Sequence, residues 1–228
     1  MTATTLRLSP RKSPVQARSA ATIRLLHVAV IQVLTKDGLN RCTTTRIAER
    51  AGMSVGSIYQ YYPNRDALLA DVLRCHLVEL AEAIEDVCER LSGKPVSDMA
   101  SNLTKTFLAV KLSNPEQSKA LYAIAGERGA AELVKLISVR MVEAIAAMLS
   151  TAPHVYFEKP IIVATVALSA VVGAVRAVLE GYAAPNFEAA IEGEVTLILT
   201  AYLQSFALKC EADEPDLSAI GEQKPKRI

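Results

Sequence analysis

The stretch TTTRIAERAGMSVGSIYQYYPNR, residues 43–65, carries the strongest local signal in the chain. Thr44 is predicted to cap a short helix by accepting hydrogen bonds from amides of its first turn. Gly52 falls where the chain must turn sharply, because glycine adopts a positive φ without strain. Ser54 is predicted to cap a second short helix, on which Ile58 faces inward. This order of helix, glycine-containing turn and helix predicts a helix-turn-helix.

The second of these helices has an unusual outward side. Two small residues let its backbone approach another surface, and the residues after them carry hydrogen-bonding groups on flat or flexible stems. These residues are Gly56, Ser57, Tyr59, Gln60 and Tyr61. Hydroxyls can bind phosphate, and a glutamine amide can pair with adenine in the major groove. The pattern predicts a DNA-reading helix, with Tyr62 equally suited to its surface or to the core.

The charge distribution supports a polyanionic partner for this end of the chain. Residues 1–65 contain ten Lys/Arg and two Asp/Glu, a net charge of +8. Residues 66–228 contain fifteen Lys/Arg and twenty-two Asp/Glu, a net charge of −7, so the total of +1 hides the asymmetry. A basic head on an acidic body is the electrostatic footprint of a nucleic-acid-binding protein, although the footprint is not specific.

Helical periodicity dominates the rest of the sequence, and no convincing strand is found. Apolar stripes, glycines and Asn-Pro or Ala-Pro breaks divide the chain. The predicted helices cover about 18–37, two short segments within 44–61, and about 65–91, 97–112, 115–125, 130–150, 160–182 and 186–209. The chain is therefore predicted to be all-α with about nine helices.

The segment IAERAGMSVGSIYQYYPNRDALL, residues 47–69, closely resembles the signature of the TetR family of bacterial transcriptional regulators. The match extends over about residues 18–75, and the rest of the chain matches in helix count and length. The resemblance implies a ligand-responsive regulator, with a three-helix DNA-binding domain over 18–64 and a ligand-binding and dimerisation domain over 65–210. We predict a flexible basic arm over 1–17 and a disordered tail over 211–228.

The resemblance also implies a role for individual positions. The implied DNA-contacting residues are Thr44, Thr45, Arg46, Ser54, Val55, Gly56, Ser57, Tyr59, Gln60, Tyr61 and Arg65. Arg65 would clamp a phosphate at the start of the long helix. Position 55 departs from the family, where it is often basic or polar, since valine can touch a thymine methyl but cannot hydrogen-bond guanine. Specificity is then expected to depend on Gln60, Thr45 and DNA shape. Additional phosphate or minor-groove contacts are expected from Arg11, Lys12 and Arg18.

The last two predicted helices, about 160–182 and 186–209, carry little charge: Arg176 is the only charged residue from 161 to 179, and none is present from 195 to 208. Helices that are apolar all round must be buried, and one small subunit cannot fully cover both. We therefore expect a homodimer in which this pair packs against its copy, as the resemblance also implies. Small residues that would permit close approach are Ala167, Ala170, Gly173, Ala174 and Ala177. Such a dimer places two reading helices one DNA turn apart, on a near-palindromic double-stranded site.

The helices over about 97–150 are expected to enclose a cavity for a small-molecule effector. Candidate lining residues are Met99, Phe107, Tyr122, Met141 and Met148, with Arg128 as the polar anchor. The mostly apolar body favours a hydrophobic or aromatic compound. We expect the effector to shift the population towards a conformer in which the long helix over 65–91 has moved, so that ligand and DNA weaken each other. No cofactor is predicted.

A regulator that responds to redox state or metal through its cysteines is the alternative. Cys42, Cys75, Cys88 and Cys210 form no CxxC pair, and no Cys/His cluster has zinc spacing, so no metal ligand is assigned. Cys75 and His76 are neighbours on a helix and point to different faces. An intact DNA response after Cys75→Ser and Cys88→Ser would exclude this alternative.

A small hydrolase is a weaker alternative, and we predict no catalytic residue. Residues 52–56, GMSVG, match the GxSxG nucleophile elbow, but that motif requires a preceding strand, and here a helix precedes it.

The start of the chain has no apolar core of a signal peptide, and the longest uncharged run, 161–175, is shorter than the ~20 residues that span a bilayer. A cytoplasmic protein with no membrane partner is therefore expected.

Overall fold

The protein folds into nine α-helices over the residues that the structure describes. The computed structural model describes residues 17–126 and 130–209. The helices are α1 Ala17–Asp37, α2 Thr44–Ala51, α3 Val55–Tyr61, α4 Arg65–Arg90, α5 Val96–Leu112, α6 Pro115–Ala125, α7 Ala131–Leu149, α8 Pro160–Glu180 and α9 Phe187–Phe206. This confirms the all-α prediction. The predicted arm, except Ala17, and the predicted tail lie outside the described residues, as do Arg128 and Cys210.

A short antiparallel pairing adds a detail that periodicity missed. Strand β1, Val155–Tyr156, pairs with strand β2, Leu208–Lys209. The chain leaves helical geometry at Ala207, so α9 is shorter than the predicted segment 186–209. Two-residue strands have no measurable alternation, which is why sequence periodicity could not reveal them.

The N-terminal cap of α2 lies one residue before its predicted position, whereas the cap of α3 lies where it was predicted. The side chain of Thr43, and not of Thr44, accepts the hydrogen bond from the Arg46 amide and caps α2. Thr44 is the first helical residue. Gly52 ends α2 in the left-handed region with φ +65°, as predicted. Ser54 caps α3 by accepting from the Ser57 amide, also as predicted.

Two clusters of buried side chains organise the molecule. The N-terminal core includes Leu26, Val30, Ile47, Ile58, Tyr62, Leu68, Leu73, Leu121 and Ile124. The C-terminal core includes Leu80, Ile84, Met99, Phe107, Met141, Ile145, Leu168, Val175, Leu199 and Leu203. Helix α6 lies far along the chain, yet Leu121 and Ile124 pack it into the N-terminal core. The start of α4 also belongs to that core. The side chains on the two sides of the predicted domain boundary at residue 64 are therefore packed in one core.

Helix α4 runs through both cores. Its first two turns, from Ala67 to Leu73, are buried in the N-terminal core, and Leu80, Ile84 and Val87 are buried in the C-terminal core. The predicted apolar stripe accounts for this, because its residues recur at helical spacing along one face. One continuous helix therefore connects the helix-turn-helix to the rest of the chain.

Helix α8 is long and apolar enough, on length and composition, to cross a membrane, and it is the only described helix of this kind. Its most apolar 18-residue window has a mean hydropathy of 2.3 and is 33% buried. The uncharged run counted in the sequence is shorter than the 21-residue helix. Val163, Leu168 and Val171 pack one face of α8 into the C-terminal core, as in an ordinary core helix.

Candidate functional site

The surface of α2 and α3 exposes several of the predicted DNA contacts. Tyr59 is 42% exposed, and Thr45, Arg46, Ser54, Gly56 and Gln60 are also exposed. The predicted contacts that are partly buried are Thr44, Val55, Ser57, Tyr61 and Arg65. The short side chains and the exposed Gln60 amide leave α3 free to approach a groove. A helix of this kind can read base edges while its neighbours contact phosphate.

Two polar contacts brace α2 against α1. Arg46 forms an ion pair with Asp37, with Nη1 and Oδ2 3.0 Å apart, and Arg50 Nε donates to Gln32 Oε1 at 2.6 Å. Gln32 and Arg50 are exposed and Asp37 is partly buried, so each pair contributes little to stability. Both pairs join α1 to α2, the helix that carries Thr45 and Arg46.

The Arg65 guanidinium has partners within the chain that the sequence did not suggest. Its Nε donates to the carbonyl of Cys42 at 2.6 Å, and its Nη2 donates to the carbonyl of Leu39 at 2.9 Å. Nη1 lies 3.5 Å from Asp66 Oδ1. These contacts tie the start of α4 to the turn before α2. Arg65 thus holds the helix-turn-helix together, whether or not it also contacts phosphate.

A buried polar network joins α1, the end of α3 and α4. Tyr62 is fully buried, so of the two positions considered from the sequence it takes the one in the core. Its hydroxyl donates to Asp71 Oδ2 at 2.7 Å. His27 Nε2 lies 3.0 Å from the Tyr62 hydroxyl and 3.1 Å from Asp71 Oδ2. Arg74 donates to Asp71 Oδ1 from both Nε and Nη2. A carboxylate in the apolar stretch 67–73 was the sequence signal for this network.

The network keeps Asp71 ionised and His27 protonated. Burial alone opposes the Asp71 charge, but hydrogen bonds from His27, Tyr62 and Arg74 outweigh it and lower the pKa of the carboxyl. Burial also works against the His27 charge, yet the hydrogen bond to Asp71, with help from Cys75, raises the pKa of the imidazole to about 9. The result is a charged, hydrogen-bonded link between the end of α3 and α4.

Cys75 lies beside this network. Together with His27 and Asp71 it forms the one group of possible metal ligands among the described residues. Ligand atoms of His27, Asp71 and Cys75 lie within 4.8 Å of one another. Protein donors already satisfy both oxygens of Asp71, so its carboxylate needs no ion to explain it. Burial raises the pKa of Cys42 to about 11 and of Cys88 to about 12, which makes both thiols unreactive.

A cavity of about 90 Å³ lies between the two cores. Its lining residues are Leu73, Leu77, Leu80, Phe107, Lys111, Leu121, Tyr122, Ala125, Val134, Ser138, Met141 and Val172. Phe107, Tyr122 and Met141 were predicted to line a cavity and do so. Met99 and Met148 are buried in the C-terminal core and are not among these residues. Arg128, the predicted polar anchor, lies outside the described residues.

The polar group that the cavity does contain, Lys111, was missed by sequence reasoning. Lys111 is 5% exposed, and its Nζ lies 3.1 Å from His76 Nε2 and 4.9 Å from the centre of the Tyr122 ring. The signal was its spacing, since Lys111 follows Leu103 and Phe107 at intervals of four along the buried face of α5. His76, the partner of Lys111, lines an open groove of about 420 Å³.

Helices α8 and α9 leave an adjacent apolar surface uncovered. Exposed apolar side chains on this surface include Ile162, Val166, Leu197 and Ile198. Gly173 also lies on this outer side, and a side chain there would meet nothing within 4 Å. Ala167, predicted to permit close approach of a partner, instead packs in the C-terminal core. Ala170, Ala174 and Ala177 are partly buried.

Ser54, the serine of the GxSxG match, has a structural role. It caps α3, its hydroxyl lies 2.8 Å from that of Ser57, and helix α2 precedes it. The strand-turn-helix of a nucleophile elbow is therefore not the local structure at this serine.

Comparison with known proteins agrees with this arrangement. Residues 25–72 match a family model described as bacterial regulatory proteins of the tetR family. Residues 95–203 match a second model, described as the tetracyclin repressor-like C-terminal domain. No curated protein sequence matches the chain. The two matches include the helix-turn-helix, α5 to α8 and most of α9, and they leave residues 73–94 of the chain between them.

Three solved structures illustrate the shared fold. A protein from Mesorhizobium loti described as a TetR-family transcriptional regulator has a TM-score of 0.65 and 16% identity, over 84% of this chain and 97% of that chain. The fatty acid degradation regulator FadR from Bacillus halodurans has a TM-score of 0.60 and 12% identity, over 78% and 97%. The multidrug binding protein EbrR, solved with imidazole, has a TM-score of 0.55 and 16% identity, over 84% and 97%. At these identities the likeness concerns the fold.

Proposed function

Because the chain belongs to the TetR family of bacterial transcriptional regulators, we propose that it is a homodimeric repressor that leaves a near-palindromic operator when a small molecule enters the cavity between its cores. The N-terminal helix-turn-helix is the DNA-binding domain and the C-terminal helices form the ligand-binding domain. In this proposal the protein works on cytoplasmic DNA. The finer steps follow from the geometry of α4.

One observation carries the proposal: a single helix borders the cavity and is bonded to the reading helix. Leu73, Leu77 and Leu80 of α4 line the cavity. On the same helix Asp71 accepts the hydrogen bond of Tyr62, the residue that ends α3. A shift of α4 caused by a ligand is therefore expected to move α3.

The mechanism is a population shift between two positions of α4. The cavity of about 90 Å³ is small for an effector, so we expect it to be larger in the ligand-bound conformer. Helix α6 would move with α4, because Leu121 lines the cavity and packs into the N-terminal core. The ligand can shift the equilibrium only by its difference in affinity for the two conformers. Ligand and DNA must then weaken each other by the same factor.

Dimerisation through α8 and α9 completes the proposed repressor. These two helices contact each other, and each carries exposed apolar side chains that a second copy can cover. A two-fold axis there repeats each contact once on either side of the axis and positions two α3 helices. Operators read by such dimers have half-sites about 34–36 Å apart.

Selection of bound duplexes from random DNA tests the proposal most directly. We expect enrichment of a near-palindrome with half-sites one helical turn apart. The oligomeric state is measured on the same preparation by light scattering. A monomeric protein that binds no duplex at low salt would overturn the proposal.

Substitutions on α3 test the assignment of individual contacts. We expect Gln60→Ala to relax preference at one base pair by about 1–3 kcal/mol. Tyr61 is partly buried, so Tyr61→Phe removes its hydroxyl while keeping its packing, and Tyr61→Ala removes both. If Tyr61 contacts phosphate, Tyr61→Phe weakens binding equally across sequences. Uniform loss from both Gln60→Ala and Tyr61→Phe, measured on selected and mismatched duplexes, would contradict the assignment.

A further inference from the structure

The side chain of Lys111 is a buried cation inside a mostly apolar cavity. It is 5% exposed and reaches the cavity from α5. Its Nζ has two neighbours, His76 Nε2 at 3.1 Å and the face of the Tyr122 ring at 4.9 Å. An ammonium group can only donate, so the His76 nitrogen accepts. Neither neighbour is an anion.

The charge of Lys111 is therefore uncompensated within the described part of the chain, where no carboxylate forms an ion pair with it. Burial and the nearby ammonium lower the pKa of His76 to about 4, which keeps the imidazole neutral. Burial also lowers the pKa of Lys111, to about 8, so the ammonium still predominates at neutral pH. A buried cation without a counter-ion is costly to the fold.

The walls around Lys111 define the rest of the site. They come from five helices and are mostly aliphatic or aromatic, with Leu77, Phe107, Leu121 and Val172 among them. A dry cavity of about 150 Å³ in another protein accepts benzene. The cavity here is about 90 Å³, and Met141, a flexible lining residue, is suited to yield further space. The space suits a single ring or a short chain.

We propose that this cavity binds a small organic acid, whose carboxylate pairs with the Nζ of Lys111 and whose ring or short alkyl chain lies against the apolar walls. The acid supplies the counter-ion that the described chain lacks. A neutral ligand of the same shape would leave the ammonium uncompensated, so the site discriminates by charge. Only the further step, that the acid is the effector, rests on the proposed function.

The place of the site in the fold connects acid binding to DNA release. Leu73 and Leu121 line the cavity and also belong to the N-terminal core. The apolar part of the acid therefore contacts the same side chains that hold α4 and α6 against the helix-turn-helix. Enlarging the cavity separates these helices, which is the movement that the repressor mechanism requires.

Calorimetric titration of the purified dimer with two matched pairs of compounds tests the acid site. The pairs are benzoate with benzamide and hexanoate with hexanamide, which differ in charge but hardly in shape. We expect at least one acid to bind the wild type at least about tenfold more tightly than its amide, because the amide oxygen can still accept a hydrogen bond from Lys111 but carries no negative charge to offset the ammonium. We expect Lys111→Met to remove this preference.

The matched control is Lys105→Met, since Lys105 lies on the same helix but is exposed. It should retain the preference for the acid. Circular dichroism checks that each variant folds, and Lys111→Gln replaces Lys111→Met if the latter does not. The proposal is overturned if neither acid binds the wild type, if the amides bind as tightly as the acids, or if Lys111→Met retains the acid affinity.

Repeating the titrations with a selected duplex separates the two proposals. Acid binding that depends on Lys111 but leaves the DNA affinity unchanged supports the site and overturns the ligand-released repressor. Release of the duplex by a neutral compound, together with no acid preference, overturns the acid site and supports the repressor. Release by the acid that Lys111→Met abolishes supports both.

Discussion

Asp71 shows how one buried side chain determines the properties of several others. Its carboxylate accepts hydrogen bonds from Tyr62, His27 and Arg74 while only 4% exposed. Satisfied networks of this kind favour a single arrangement of the elements that they join, because each missing partner would leave a buried polar group unpaired. We therefore expect the orientation of α3 on α4 to depend on the protonation of His27 as well as on packing.

The His27→Gln variant tests this dependence through pH. The folded pKa of His27 is raised from 6.5 to about 9, so its contribution to stability is fully present below pH 6.5 and is lost as the pH rises through about 9. We expect the free energy of unfolding of the wild type, relative to that of the variant, to fall by roughly 2–3 kcal/mol across this range. Urea denaturation at a series of pH values measures the difference in the free energy of unfolding.

The comparison must be made with the variant, because Lys111 changes wild-type stability in the opposite direction. The pKa of Lys111 falls from 10.5 to about 8 on burial, so the cost of its charge diminishes as the pH rises above 8. This contribution cancels in the difference between wild type and variant. A difference that does not change with pH would mean that His27 is not protonated in the network.

Lys111→Met is expected to stabilise the protein in the absence of ligand. Methionine fills similar space and removes a buried charge that no described carboxylate offsets. We expect a gain of about 1 kcal/mol or more, which raises Tm by about 2–4 °C for a chain of this size. Lys105→Met, on the exposed face of α5, should change stability by less than about 0.5 kcal/mol. A large destabilisation by Lys111→Met in a thermal melt would show that the lysine is structural.

At the scale of the elements, α2 is a short helix that depends on its cap. Thr43→Ala removes the side chain that accepts from the Arg46 amide, and we expect a loss of about 1 kcal/mol. Thr44→Ala leaves this cap in place and puts a good helix former at the first helical position. Chemical denaturation of the two variants shows which of the neighbouring threonines caps α2. A larger loss of stability for Thr44→Ala than for Thr43→Ala would show that Thr44 is the cap, as predicted from the sequence.

The pair α8 and α9 has an outer apolar surface that the proposed dimer covers. Leu197, on α9, is 65% exposed in the single chain. We expect Leu197→Glu to weaken dimerisation by at least about tenfold, because the carboxylate would be buried without a partner. Leu136→Glu is the matched control, since Leu136 is 66% exposed but lies on α7. Analytical ultracentrifugation should show more monomer for the first variant, and an unchanged dimer there would reject this interface.

At the scale of the whole molecule, the dimer makes the spacing between the two reading helices a property of the protein. Inserting about five base pairs between the half-sites rotates one of them to the opposite side of the duplex. We expect affinity for this duplex to fall to the level of unrelated DNA, while substitution of the spacer bases at constant length has a much smaller effect. Fluorescence anisotropy at one fixed salt concentration measures both. Equal affinity for the two spacings would contradict binding by a rigid dimer.

Local patterns in the sequence were sufficient to predict the helices and the helix-turn-helix. Helical stripes, Gly52 and the cap at Ser54 depend on residues close together in the chain, and all three are present in the structure. The uncharged segments of α8 and α9 likewise indicated that these helices leave apolar surface for a partner to cover. These features were predictable because helix periodicity and capping are local properties.

The tertiary structure alone decided which distant side chains meet. The pairing of Tyr62 with Asp71 and His27, and of Lys111 with His76, joins residues on different helices. Periodicity places a residue on a face of its own helix, but it does not say which face of another helix lies opposite. The polar group of the cavity was therefore assigned to Arg128 from sequence, whereas packing of α5 against α4 and α6 brings Lys111 there.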